Sequence, residues 1–270
     1  MQALATQIPC YPPPVATPTS SLKLHQSNAF VISWEDVLVP MSFLDKRVGL
    51  QPTRTSLSIA KAAYTQDRYL QQALASVEEE AIEFLRTAVS LGPVFILTNK
   101  SVKYMEITCA AFFPRLAHWL AAADLATASH TQQFRVRVVA APQKFANIMQ
   151  SSAWLAGLYQ QIVKITICEL HGVSISSAGA LNHSHQLLQR RESGALGLVT
   201  ISASPTNLTA SLRAFDVAPF VITKGVHVPG GDPSTALNLE HFFAQLRTLQ
   251  GYISIAAAHN SAFSTTLNNC

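Results

Sequence analysis

Short apolar runs recur along the chain, and each gives way to a polar residue of a kind found where a buried strand ends. Phe30-Val-Ile32 stops at Ser33, Glu35 and Asp36, and Val94-Phe-Ile-Leu97 stops at Thr98 and Asn99. Unbroken apolar runs mark strands covered on both faces, as in a parallel sheet whose carboxyl ends open onto a site. Phe134, Val136, Val138 and Val139 predict a third strand, with Arg135 and Arg137 alternating between them. Val173-Ser-Ile175 after Gly172 predicts a fourth, Leu198-Val-Thr-Ile201 a fifth, and Phe220-Val-Ile222 adds an edge strand.

The segments between these runs have helical periodicity. Over 56–91, Leu70, Leu74, Val77, Ala81, Phe84 and Leu85 share one face, with Glu78, Glu79 and Glu83 largely outside it, and Gly92-Pro93 ends the element. A helix over 103–123 is interrupted at Pro114. Ser204-Pro205 starts another, Gly230–Ser234 forms a turn, and Leu239, Phe242, Phe243, Leu246 and Leu249 give 237–249 an amphipathic helix. This alternation of strand and helix predicts a three-layer α/β domain with a mostly parallel five-stranded sheet and helices on both faces.

The stretch Ser33-Trp-Glu-Asp-Val-Leu-Val-Pro40 resembles the first motif of the haloacid dehalogenase-like (HAD) superfamily of phosphotransferases, Asp-x-Asp-x-Thr after the first core strand. It resembles more closely a eukaryotic branch that reads Asp-Trp-Asp-Asp-Thr-Leu-Leu-Pro, with which Trp34, Asp36, Leu38, Pro40, Ser42 and Leu44 agree. The resemblance extends over residues 30–212 and includes the acidic helix and Thr98-Asn99 strand end of 77–99. It implies the strand order 5-4-1-2-3 in a Rossmann-like HAD fold. The short stretch between the first two motifs implies a minimal cap or none.

The same alignment leaves the chemistry incomplete. The nucleophilic aspartate falls on Ser33, the acid/base aspartate on Glu35, and the threonine on Val37. Trp154 matches a branch tryptophan, but Ala153 and Leu155 stand at its flanking lysines, and neither Lys144 nor Lys164 has the motif spacing. The magnesium-binding acids fall on Ser177 and Leu181. Magnesium requires anionic oxygen ligands, so the resemblance implies no metal and no cofactor. Ser33 has no adjacent base, because Glu35 two residues on points elsewhere at a strand exit, and no Gly-x-Ser-x-Gly elbow frames it. His171, His183 and His185 have no ligand spacing either.

These losses lead us to expect a catalytically inactive HAD-like protein, a structural or scaffolding subunit of a larger assembly with other protein subunits as its partners. The alternative is a residual Mg-dependent phosphatase or phosphate-binding module on a macromolecular substrate, with Asp36, Thr98 and Asn99 at the phosphate and magnesium as its cofactor.

Composition bears on partners. Only 13% of residues are charged against 49% hydrophobic, too little charge to cover a free monomer, so part of the surface is expected to face another protein. The net charge of +4 comes from scattered residues, which argues against nucleic acid. The apolar stretch 105–126 contains Glu106, Arg115, His118 and Asp124 and is no bilayer span. Cys10, Cys109, Cys168 and Cys270 lie far apart, as isolated thiols of a reducing compartment do. We expect an intracellular protein of the cytoplasm or an organelle, mitochondria included, and not a secreted one. Residues 1–28 have no acid and three consecutive prolines from Pro12, which fits an extended arm or a targeting segment. The expected organisation is this arm, a core over 29–215, and an extension over 216–270 with edge strand and amphipathic helix.

Overall fold

The computed structural model describes residues 27–125, 136–142, 148–170, 196–216, 218–229 and 238–267. Within them six strands form one sheet: β1 (Ser27–Ser33), β2 (Val94–Thr98), β3 (Val136–Ala140), β4 (Leu196–Ser202), β5 (Val221–His227) and β6 (Phe263–Thr266). The order is β3-β2-β1-β4-β5-β6 and every pairing is parallel. This is a Rossmann-like α/β fold, with one strand more than the five expected.

The helices are α1 (Met41–Val48), α2 (Arg54–Gln66), α3 (Arg68–Leu91), α4 (Val102–Phe112), α5 (Pro114–Leu125), α6 (Ile148–Leu170), α7 (Pro205–Ser211) and α8 (Leu239–Ala258). Strand side chains alternate between two cores, as a period of two requires. Phe30, Ile32, Val94, Ile96, Val199 and Ile201 enter the layer formed with α3, α4, α5 and α8. Ala29, Val31, Phe95, Leu97, Leu196 and Leu198 enter the opposite layer, against α6 and α7. Three layers result, with β1 buried on both sides at the centre.

The helical stretch 56–91 is two helices, because Asp67 adopts an extended backbone and accepts the Leu70 N–H at 3.0 Å as an N-cap. The Gln71 amide in turn donates to the Tyr64 and Thr65 carbonyls, capping α2. The predicted face of α3 is buried throughout, but so is Glu78, which the periodicity had put outside it. Its carboxylate accepts the Leu116 N–H at 2.8 Å and so caps the first turn of α5. Burial raises the Glu78 pKa, and the backbone donors of α5 only partly oppose this. Pro114 separates α4 from α5 and opens the second helix, the position where a missing N–H costs nothing.

At the end of α3 the chain passes so close to β1 that a Cβ on Gly92 would lie 2.0 Å from the Asn28 carbonyl oxygen. Only glycine fits there. The neighbouring Pro93 carbonyl accepts the Phe30 N–H at 2.9 Å, which registers β2 against β1.

Three expectations change. The expected fourth strand, Val173–Ile175, lies outside the described residues, and the place beside β1 is taken by β4, expected as the fifth. The strand expected at the edge around 220–222 is instead the interior strand β5, paired on both sides, with β6 outside it. Residues of the 216–270 stretch also enter the main core: Phe242, Leu246, Leu249, Ile253 and Ala256 of α8 are buried against the same layer as α3. Among the described residues, no helix is long and apolar enough to cross a membrane.

Candidate functional site

The sheet reverses its winding between β1 and β4, and at the carboxyl ends of these strands an open α/β sheet leaves its crevice. Ser33 ends β1, Thr98 ends β2 and Ser202 ends β4, so the polar residue after each apolar run falls on one edge.

The loop after β1 is a tight turn. Leu38 and Val39 both donate their N–H to the Trp34 carbonyl at 3.2 Å, and Asp36 takes the left-handed backbone at φ 57°. A non-glycine residue holds that conformation when its side chain is tied down, and Asp36 is. Its carboxylate accepts the Ser42 N–H at 2.8 Å and the Ser42 hydroxyl, while its carbonyl accepts from the Gln245 amide at 3.2 Å. Trp34, Val37, Leu38 and Val39 fill the core beneath. Both Asp36 oxygens are thus committed to the turn.

Glu35 points across to β2. Thr98, fully buried, donates its hydroxyl to Glu35 Oε1 at 2.5 Å, and the Asn99 N–H reaches both carboxylate oxygens at 3.2 and 3.1 Å. The Lys100 N–H in turn donates to the Thr98 hydroxyl at 3.1 Å, which aims the Thr98 proton at Glu35. Burial raises the Glu35 pKa; its two donors and the Lys100 charge pull the other way without cancelling it.

Ser33 turns toward β4 instead. Its hydroxyl donates to Ser202 Oγ at 2.8 Å, Asn207 of α7 donates to Ser202 Oγ at 3.1 Å and to Ser33 Oγ at 3.5 Å, and the Ser204 N–H adds a contact to Ser202 at 3.0 Å. Among the described residues no carboxylate or imidazole hydrogen-bonds Ser33, so nothing there withdraws its proton. Ser202 and Asn207 were absent from the sequence reading. The signal for them is Ser202-Ala-Ser204-Pro205, a polar stop after an apolar run like that of β1, whose Ser-Pro pair also marks a helix start.

The edge therefore brings together Ser33, Glu35, Asp36, Thr98 and Asn99, while Ser177 lies outside the described residues. The donor set suits magnesium poorly: Ser33 is a neutral hydroxyl bonded to Ser202, the Glu35 carboxylate is turned onto Thr98 and Asn99, and that of Asp36 onto Ser42. Among the described residues no group of three His, Cys, Asp or Glu side chains is placed to hold a metal. Chemically the edge holds two internal hydrogen-bond sets, Glu35 with Thr98 and Asn99 and Ser33 with Ser202 and Asn207, and one carboxyl of raised pKa. Comparison with family models, curated proteins and solved structures gives no match to this chain.

Proposed function

We propose that the chain is a non-catalytic relative of the HAD phosphotransferases that acts as a structural or scaffolding subunit of a protein assembly. The observation that carries this reading is the Glu35 carboxylate on Thr98 and Asn99. In the superfamily the residue at Thr98 holds the transferring phosphate, and here the chain's own carboxylate fills the same donors. An internal anion there competes with any external one. Ser33 in place of the nucleophile, without a base, supports the same conclusion.

The expected result is no Mg²⁺-dependent hydrolysis of an aryl phosphate and no trapping of an aspartyl-phosphate mimic such as beryllofluoride. Ser33→Asp alone restores neither, because Ser177 and Leu181 stand where the resemblance places the magnesium-binding acids and leave the metal short of carboxylates. Robust turnover abolished by Thr98→Ala would overturn the reading and favour the residual phosphatase.

Glu35 gives a second test. In Glu35→Ala the Thr98 hydroxyl and Asn99 N–H lose their acceptor, and inorganic phosphate should bind with a Kd on the order of millimolar. The wild-type chain should show no saturable phosphate binding in the same titration by phosphorus NMR. Equal phosphate binding by both proteins would show that Glu35 blocks nothing.

A further inference from the structure

A cavity of about 690 Å³ lies away from the carboxyl edge, along the outer side of β3. Met105, Cys109 and Leu120 of α4 and α5 wall it on one face of the sheet, and Leu158, Ile162 and Ile165 of α6 wall it on the other. Its floor is the strand itself, Val136 to Val139.

The backbone direction of that floor follows from the ladder. Ala141 donates its N–H to the Thr98 carbonyl at 2.8 Å, so in a parallel pairing the polar groups of Arg137 and Val139 face β2. Those of Val136, Val138 and Ala140 face outward into the groove. Among the described residues β3 pairs with β2 alone. Edge strands are commonly guarded by a lysine, a proline or a bulge. β3 has only Arg137, whose guanidinium lies over the Phe95 ring 5.5 Å from its centre.

The chemistry of the groove selects its occupant. A hydrocarbon ligand would satisfy the walls and leave the outward N–H and C=O of Val138 unpaired, whereas an extended peptide satisfies both. A second copy fits less well, because helical side chains from both faces reach the same cavity and recess the strand between them. Two such edges would meet helix to helix first. Two charged side chains line the groove: the half-buried Arg137 lies with its guanidinium over the Phe95 ring, while Glu106 of α4 is exposed and has no ion pair among the described residues, so it is the charge that faces a partner. Its complement is a cation beside an apolar run.

We propose that the outer edge of β3 takes up an extended segment of another protein as a seventh strand: an aliphatic run matching the five residues of β3, next to a lysine or arginine. This rests on the scaffolding reading above and names the face that would serve it. A partner strand here is apolar on both faces, as buried parallel strands are.

The test uses the full chain and fluorescein-labelled decapeptides with a Val-Ile-Val-Ile-Val core beside a lysine, a glutamate or neither, followed by anisotropy. The lysine peptide should bind about tenfold or more tighter than the glutamate peptide, and Glu106→Lys should reverse that order. Val138→Pro removes an outward N–H without touching the β2 ladder and should weaken binding about tenfold or more. Leu158→Lys, at a half-buried wall position, should do the same in a protein that melts like wild type. Equal binding of all three peptides, or binding unmoved by Val138→Pro and Leu158→Lys, overturns the proposal. So does a dimer that Val138→Pro dissociates, which would make a second copy the occupant, or binding seen only after deletion of residues 1–26. These variants leave Ser33, Glu35 and Thr98 intact, so phosphatase activity would overturn the functional reading and not this one.

Discussion

Gly92→Ala should cost about 3 kcal/mol of stability, a large share of the 5–15 kcal/mol that holds a typical domain together. The added methyl would sit 2.0 Å from the Asn28 carbonyl oxygen and 2.8 Å from its carbon, and both are backbone atoms of the central strand. A flexible side chain gives way to such an intrusion; a strand paired on both sides does not. Relief requires moving the α3–β2 turn away from β1, which strains the Phe30 N–H to Pro93 bond at the start of the ladder. The backbone at Gly92 is extended, so the penalty is purely one of space. Gly157 in α6 and Gly251 in α8 are the controls, because a Cβ at either meets nothing within 4 Å. Alanine there should stabilise by about 0.5–1 kcal/mol through helix propensity. Urea unfolding of the three variants measures all of this, and a Gly92→Ala midpoint equal to wild type would refute the close approach.

Lys224 gives the second large effect. It lies fully buried in the middle of β5, where its ammonium donates to the Ala257 carbonyl at 2.7 Å and to Asn28 Oδ1 at 3.4 Å. The carbonyl end of α8 is a favourable place for a cation. It is still not a carboxylate, and burial lowers the Lys224 pKa from 10.5 to about 8. A folded-state pKa below the unfolded one means that between these values the unfolded chain holds a proton the folded chain has released. Stability therefore rises with pH across that window, by about 3 kcal/mol in total. Cys109 works in the opposite direction: burial pushes its thiol up to about 12, so stability is lost as pH rises above the unfolded value near 9. The Lys224 contribution is accordingly read as a difference. Wild type minus Lys224→Met should grow by about 3 kcal/mol between pH 8 and 10.5 in denaturant titrations. A difference that stays flat across that range would mean the amine is neutral or solvated throughout.

Lys224 also shows where the sequence stopped being legible. A charged residue and a glycine in the middle of Val221–His227 broke the apolar run, so only its first residues read as a strand, and an outer one. The lysine is tolerated there because the end of a helix more than thirty residues on supplies its acceptor, a fact of tertiary structure that no local pattern carries. Glu78 hid in the same way, since its partner Leu116 belongs to another helix. By contrast β1, β2 and the buried face of α3 were plain, because burial on both faces leaves unbroken apolar runs and burial on one leaves a stripe. β6, short and half-exposed, left no pattern.

At the carboxyl edge, Ser33, Glu35, Asp36, Thr98 and Asn99 are legible as polar stops after apolar runs, and the HAD resemblance groups them with Ser177, which lies outside the described residues. The sequence does not indicate their bonds. That Glu35 reaches Thr98 while Ser33 turns to Ser202 depends on which strand lies on each side of β1. The order 5-4-1-2-3 holds, with β6 added outside β5, but the strand beside β1 is Leu196–Ser202 and not the segment 173–175 that the apolar pattern puts there.

The central position of β1 also shapes how the protein is made. Its two neighbours come from distant parts of the chain, and Ser33 meets Ser202 across 169 residues. At about 5–20 residues per second of synthesis, β1 leaves the ribosome roughly 10–30 s before β4 exists to cover its second edge. Through that interval Phe30, Val31 and Ile32 form an aggregation-prone strand with half its partners untranslated. Nascent chains should therefore depend on chaperone cover until β4 emerges, and chains truncated before Leu196 should be insoluble.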